Sequence, residues 1–444
     1  MSGEPEQGAS SGRAFDVIIV GGRVAGASLA IRLGIAGKRV LLVDRATFPS
    51  TPTVPSCPIV HTGTMELLDE LGVEESSYVD PSAKFDRVVL GFDGKFMSEA
   101  RLPDTAGRRY VVGVHRATFD NAIWARAGAF PSVERRTGFT FEDVVKDARG
   151  RVIGISGSDA DGSQRVFRAR WVVGADGRYS AVARKVGAKV TEDFDKLATA
   201  YYAEWLGLSS PSPSIHPSTP CMQVLTNGRG TNLLFFPMPE GRTAIATHQR
   251  ADHADIGGDA EAYYARTIDG FVFARARLRS AKRVTGLVGI KKIANRYMDA
   301  GGAGWLLAGD AVHMKDPVDG QGIYDALLET KILAELLLES WSRTSEDDGL
   351  PARWTERLRR ATHAFYLATV DRLRRELYST PPPIVVKTAI RYLMTDPVYH
   401  ERYFQFATRA IPPERLQIGK LLAGSIARGL VRDLRGEKSL PPPV

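Results

Sequence analysis

Gly21-Gly22-Arg23-Val24-Ala25-Gly26 joins an apolar hexapeptide, Phe15 to Val20, to an apolar stretch with helical spacing. A glycine turn between strand and helix lets a pyrophosphate sit against free N–H groups at the helix start. The dinucleotide spacing G-x-G-x-x-G would put glycines at 21, 23 and 26, but position 23 is Arg. Gly21 still permits the tight turn and Gly26 still permits close packing of helix on sheet. The segment therefore reads as a dinucleotide site or as an ordinary βα turn. Asp44, followed by Arg45, closes the next apolar run 23 residues after Gly21, where a carboxylate would hold a ribose hydroxyl. Two later segments have similar chemistry. Gly174-Ala175-Asp176-Gly177 ends an apolar run ahead of Ser180, which can cap a basic helix, and a plain turn aspartate is the simpler reading of Asp176. Gly309-Asp310 ends another run, and Pro317-Val318-Asp319-Gly320-Gln321-Gly322 opens a helix. Bare glycine backbone there exposes N–H groups that could face an anion or an electron-rich ring.

The elements that must position these residues follow from pattern. Phe15–Val20, a helix over 24–36 and a strand over 39–43 make a βαβ unit, the start of an α/β fold with a parallel sheet. Helical spacing recurs at 62–72, and a further helix is expected at 118–126. Strands are expected within 85–114 and at 133–141, 151–155 and 166–173. Alternation at 198–205, 221–225, 232–237 and 243–248 predicts an antiparallel sheet. A strand at 305–308 and a helix at 322–338 repeat the opening logic. Beyond residue 346 the chain reads as helical, broken at Pro381–Pro383 and Pro412–Pro413.

Composition narrows the class. Hydrophobic residues at 43% and charged residues at 25% exclude a disordered chain, a collagen and a disulfide scaffold. No apolar run of about eighteen residues reaches the length of a membrane span. Cys57 and Cys221 stand apart with no metal-ligand spacing, so no metal site is expected. The polar start, Met1 to Arg13, lacks a signal-peptide core, which makes a reducing, cytoplasmic setting the default. The net charge of +8 is scattered along the chain, which argues against nucleic acid and suits anionic cofactors.

In order and spacing these motifs resemble the flavoprotein monooxygenases of the para-hydroxybenzoate hydroxylase type, over about residues 15–338. The resemblance implies an FAD-binding, Rossmann-like three-layer domain with an inserted antiparallel-sheet substrate domain and a C-terminal helical region. The expected boundaries are 14–84, 108–187 and 285–342 for the first, 85–107 and 188–284 for the second, and 343–444 for the third. It implies that Gly21 to Gly26 and Asp44-Arg45 bind the ADP half of FAD and that Asp176 belongs to a motif associated with FAD and the nicotinamide cofactor. Gly309-Asp310 would hold the ribityl side, and Pro317, Gly320, Gln321 and Gly322 would lie against the isoalloxazine. Arg116, in His115-Arg116-Ala117-Thr118-Phe119-Asp120, resembles an arginine near the flavin chain. His61 stands where the hydroxylases tend to carry an arginine; a histidine there could donate a hydrogen bond, with a charge that depends on pH.

The implied chemistry is reduction of FAD by NAD(P)H, addition of O2 to give a C4a-hydroperoxyflavin, and transfer of one oxygen atom to an apolar, aromatic small molecule. No catalytic side-chain nucleophile is required. Alternation on the second sheet makes Tyr201, Met222, Phe235, Met238 and His248 the candidate substrate contacts, though most such residues serve as core. The alternative is a double-bond reductase resembling geranylgeranyl reductases, for which Cys57 offers footing although the cysteine-glycine-glycine loop is absent. A halogenase is disfavoured because the Trp-x-Trp-x-Ile-Pro motif is missing. The basic, amphipathic 415–434 segment reads as a lid, a contact between copies or a peripheral membrane contact.

Overall fold

The computed structural model describes residues 14–53, 56–105, 107–212, 214–341 and 349–436. The expected polar leader and the terminal Pro-Pro-Pro-Val lie outside them. Phe15–Val20 is apolar on both faces because it is the central strand of a mostly parallel sheet. Val40–Val43 flanks it on one side and Gln164–Gly174 on the other, with Ile18 opposite Leu41 and Val172. Val133–Arg136 and Trp305–Leu307 extend the sheet, also in parallel. The helices Val24–Ile35, Arg116–Ala127 and Gly322–Trp341 pack together on it, tied by a buried Ser28–Thr330 hydroxyl pair. A third layer is an antiparallel meander of Thr140–Lys146, Val152–Ser158 and the first half of Gln164–Gly174. The run expected over 133–141 is thus two strands, interrupted where Gly138 turns at φ +67.

Among the described residues the second sheet has nine strands and is built around Val190–Leu206, a 17-residue strand of which only the second half was anticipated. It is not wholly antiparallel, because Met222–Thr226 runs parallel to Arg87–Phe92. Two helices without a counterpart in the sequence reading, Ala260–Asp269 and Val272–Leu278, cover one face through Tyr263, Tyr264, Ile268 and Phe273. The other face looks toward the first domain.

The helix Leu350–Glu376 does not stand apart from the first sheet. Trp354 is fully buried and its Nε1 donates to the carbonyl of Leu307 at 3.0 Å, while Leu358, Tyr366 and Val370 join the same core. The segment expected as one helix from 415 breaks at Gln417 (φ +45) into Pro413–Leu416 and Ile418–Leu434. Among the described residues no helix is long and apolar enough to cross a membrane.

Candidate functional site

The Val24–Ile35 helix begins with no side-chain cap and no acid in its first turn, leaving its N–H groups free to face an anion. Gly21, at φ +105, touches the Ala175–Asp176 backbone, and a Cβ at Gly26 would lie 1.8 Å from the carbonyl oxygen of Gly21. Gly22 packs beneath Trp124 and donates its N–H to Asp44 Oδ2 at 2.7 Å. Val24 and Ala25 are buried in the turn, whereas Arg45 is exposed. Arg23 has extended backbone and sends its side chain away from the turn. Its Nη1 donates to Asp120 Oδ2 at 2.6 Å and to the carbonyl of Ser50 at 2.9 Å. Arg116 grips the same fully buried carboxylate through Nε and Nη2 and donates to Ser56 Oγ. Asp120 therefore anchors both arginines beside the pyrophosphate-type turn, a role that sequence reading did not assign to it.

Asp176 turns inward. Its Oδ1 accepts from Ser180 Oγ at 2.6 Å and its Oδ2 from the Ala181 and Val182 N–H groups, so it fastens the short Ala181–Val186 helix that Ser180 caps. Burial raises its pKa despite these donors. That is the turn-aspartate reading, with its carboxylate committed to its own helix. Asp310 is different: its side chain is 39% exposed and meets Arg178 Nη2 at 3.1 Å, leaving acceptor capacity toward solvent. Beneath it Gly309 (φ +61) donates its N–H to buried Glu329, which also holds His313 Nδ1 at 2.9 Å.

The Pro317–Asp319 turn ends at Gly320 in the left-handed conformation, and a Cβ on Gly322 would meet nothing within 4 Å. Gln321 is buried, accepting from Lys315 Nζ at 3.0 Å and donating to the carbonyl of Ala407. Behind the helix start lies a buried ionic cluster. Asp325 faces Lys315 Nζ at 2.8 Å and Arg409 Nη2 at 2.5 Å. Burial opposes ionisation of Asp325, but Arg409 and Lys315 outweigh it and hold its pKa at about 2. Asp319, buried and paired with Arg372 at 2.7 Å, also acts on both cations. His61 packs against the cluster, 5.4 Å from Tyr324, with Nδ1 unpartnered. Burial, reinforced by Arg409 and Lys315, pulls its pKa to about 3, so it is neutral at physiological pH. The expected pH-dependent charge at His61 is thereby corrected.

Beside the turn a narrow cleft opens against the second sheet. Its walls are Pro58, Ala200, Leu234, Phe236, Ile290 and Val318, with Tyr202, Thr247 and His248 as polar members. Of the expected substrate contacts, His248 lines it. Its Nε2 stands 2.9 Å from Asp316 Oδ1 without a hydrogen-bonding alignment, and its Nδ1 has no partner. Tyr201 and Phe235 do not: they point to the opposite face, where Tyr201 meets the Tyr263 ring at 5.6 Å. Strand side chains alternate, so the cleft takes their neighbours Tyr202 and Phe236 instead. Met222 and Met238 lie on the cleft's side of the sheet but in the packed cluster around it. Cys57 borders the cleft and the Gly320 turn, and burial pushes its pKa up to about 12, leaving a neutral thiol.

These residues fit FAD. An uncapped helix start, a part-exposed carboxylate at Asp310, open space at Gly322 and two buried cations behind it suit its pyrophosphate, its hydroxyls and its ring. A family model described as FAD binding domain matches residues 14–368. The ubiquinone hydroxylase UbiL of Rhodospirillum rubrum is 28% identical over 391 residues, 85% of each chain. The 6-methylpretetramide 4-monooxygenase of Streptomyces rimosus is 29% identical over 383 residues, 82% of this chain and 85% of that one. Among solved structures, a geranylgeranyl bacteriochlorophyll reductase-like protein from Thermoplasma acidophilum matches with a TM-score of 0.69 at 16% identity, covering 96% of this chain and 100% of that one. At that identity the match shows the fold alone.

Proposed function

This chain belongs to the FAD binding domain family, and from that premise we propose that it is a monooxygenase using NAD(P)H and O2 to hydroxylate an apolar, flat small molecule. The observation that carries the reading is the cleft, an apolar slot with few polar groups placed against the Pro317–Gly320 turn. Bound FAD would supply the electrons taken from NAD(P)H and the activation of O2, one atom entering the substrate and the other leaving as water. The chain supplies position, charge and dryness. The Val24–Ile35 helix start holds the pyrophosphate, Asp44 and Asp310 accept from sugar and ribityl hydroxyls, and Gly320 to Gly322 admit the ring. The N–H groups at the start of the Gly322–Trp341 helix, with Lys315 and Arg409 behind them, favour negative charge on the ring. Leu234, Phe236 and Ile290 exclude water, while His248 Nδ1 and Tyr202 orient the substrate's polar group.

The roles given to Gly21–Gly26, Asp44, His61, Arg116 and Asp310 are part of this proposal, as are the domain boundaries. Arg116 acts through Asp120 and Ser56 rather than as a free cation. A double-bond reductase is the second reading, favoured by Cys57 beside Gly320. The test follows the flavin spectrum of the purified holoprotein under anaerobic NAD(P)H, then after air, with and without aromatic and quinone compounds. Bleaching by NAD(P)H, with oxygenated product after air, is expected. Reduction only by a chemical donor, with turnover abolished by Cys57→Ser, would replace hydroxylation with the reductase reading.

A further inference from the structure

The cleft beside the Pro317–Gly320 turn has one polar end, and the atoms there are short of partners. His248 is buried and lines the cleft from the second sheet, opposite Ala200 of the neighbouring strand. Its Nε2 stands 2.9 Å from Asp316 Oδ1, and the Asp316 side chain is itself buried. Asp316 is held from two sides. Its N–H donates to Asn295 Oδ1 at 2.7 Å, and its Oδ1 accepts from the Val318 N–H at 2.9 Å. His248 Nδ1 and Asp316 Oδ2 have no hydrogen-bond partner, although an unmet buried polar atom is costly. The turn thus presents a held carboxylate to the imidazole, and the imidazole keeps an unmet nitrogen.

Hydrogen-bond chemistry decides what that nitrogen takes. A carboxylate only accepts, so the proton of the neutral imidazole belongs on Nε2, facing Asp316, and Nδ1 is left as an acceptor. The 2.9 Å approach lacks hydrogen-bonding alignment, as such pairs often do until a ligand seats the ring. A bare acceptor calls for a donor, a hydroxyl or an N–H. A substrate carboxylate would instead meet that acceptor with Asp316 behind it, and none of the described lining residues is lysine or arginine. The cations around the cleft are already held: Lys315 by Asp325, Arg372 by Asp319 and Glu376, and Arg116 by Asp120. An anion enclosed there without a cation costs far more than a neutral group that makes its hydrogen bond. The surface next to His248 is Ala200, Ala246, Leu234 and Ile290, which suits the body of a flat apolar ring.

We propose that His248 reads a neutral, hydrogen-donating group, a hydroxyl or an N–H, on the edge of the substrate's ring, and that Asp316 is the positioning residue that keeps Nδ1 an acceptor. The cleft thereby selects uncharged hydroxy- or aminoarenes and turns away arene carboxylates. The inference rests on the reading of this cleft as the substrate site and narrows the substrate class of that site.

The test titrates 2-naphthol, 2-methylnaphthalene and 2-naphthoate into the flavin-loaded full chain at neutral pH, with binding read from the flavin absorbance. Neither NAD(P)H nor turnover is needed, so the result is separate from whether the protein hydroxylates. The expected order has 2-naphthol at least tenfold tighter than 2-methylnaphthalene, in which a methyl group replaces the hydroxyl, and 2-naphthoate weakest. Asp316→Asn keeps an oxygen for the Val318 N–H but frees the imidazole, so the preference for naphthol should fall about fivefold while 2-methylnaphthalene binds as before. A merely structural role for Asp316 would weaken both neutral probes alike. His248→Leu should abolish the preference and retain the flavin spectrum. The proposal is overturned if 2-naphthoate binds tightest, if wild type binds the two neutral probes equally, if no probe perturbs the flavin, or if the preference survives His248→Leu. The expected binding order in a protein that fails to hydroxylate counts against the oxygenase and not against the role of His248.

Discussion

At the residue scale, His61 is a buried base whose neutral form the fold enforces. Its folded pKa of about 3 lies below the ordinary histidine value, so the unfolded chain binds the proton more readily as pH falls. The associated stability is complete above the unfolded pKa and is lost on acidification through it toward the folded value. Between about pH 8 and pH 5 the loss should be about 2 kcal/mol, and His61→Gln should remove that component of a urea-unfolding series. A slope unchanged by the substitution would mean that His61 takes up its proton in the native state. Asp310 gives a complementary prediction. Its exposed carboxylate holds no core together, so Asp310→Ala should melt within about 0.5 kcal/mol of wild type yet purify largely colourless. An intact flavin spectrum would remove Asp310 from the cofactor site. Both positions were legible in the sequence as residue types in place, but their environments were not. His61 owes its neutrality first to burial and then to Arg409, which is 348 positions away, and Arg23 owes its harmless direction to Asp120, which is 97 positions away.

At the element scale, the strand Thr231–Pro237 separates packing from recognition within two adjacent residues. Phe235 is fully buried beneath the Ala260–Leu278 helices, whereas Phe236 walls the cleft. Phe235→Ala should cost about 3–5 kcal/mol of stability. Phe236→Ala should cost less and act chiefly on KM, because it widens the slot without opening the covered face. Paired denaturation and steady-state kinetics distinguish the two, and equal effects on KM would place the substrate elsewhere. Alternation made the strands legible and narrowed each pair to one of two faces. Choosing the face required knowing what covers the other, and the two covering helices were not recognised. Tyr263, Tyr264 and Ile268 were their available signal. The glycine turns were easier to read because a strand, a turn and a helix start are all local in sequence.

At the scale of the whole molecule, the C-terminal region reaches the start of the Gly322–Trp341 helix through Arg409. Held at φ +65, this residue stacks its guanidinium 3.3 Å from the centroid of Phe365 and pairs with Asp325 in the first turn of the glycine-opened helix. Two buried cations contact the same carboxylate, so the two ways of cutting the cluster differ. Arg409→Met leaves Lys315 and Asp325 as a contacting pair, whereas Asp325→Asn leaves two cations without their contacting anion and with only the longer-range field of Asp319. Breaking a buried pair in that manner costs about 3–5 kcal/mol, and Arg409→Met should cost about half as much. The double variant should then be more stable than Asp325→Asn alone, because removing Arg409 relieves the repulsion that the first change creates. Urea unfolding of the four proteins measures the coupling. The flavin should also respond: Arg409→Met takes away one positive charge behind the helix start, so the midpoint potential of bound FAD should fall, while wild-type and variant apoproteins keep the same fold. An unchanged potential with the same stability pattern would leave Arg409 as a latch for the C-terminal helices and take it out of the electrostatics of the cofactor groove.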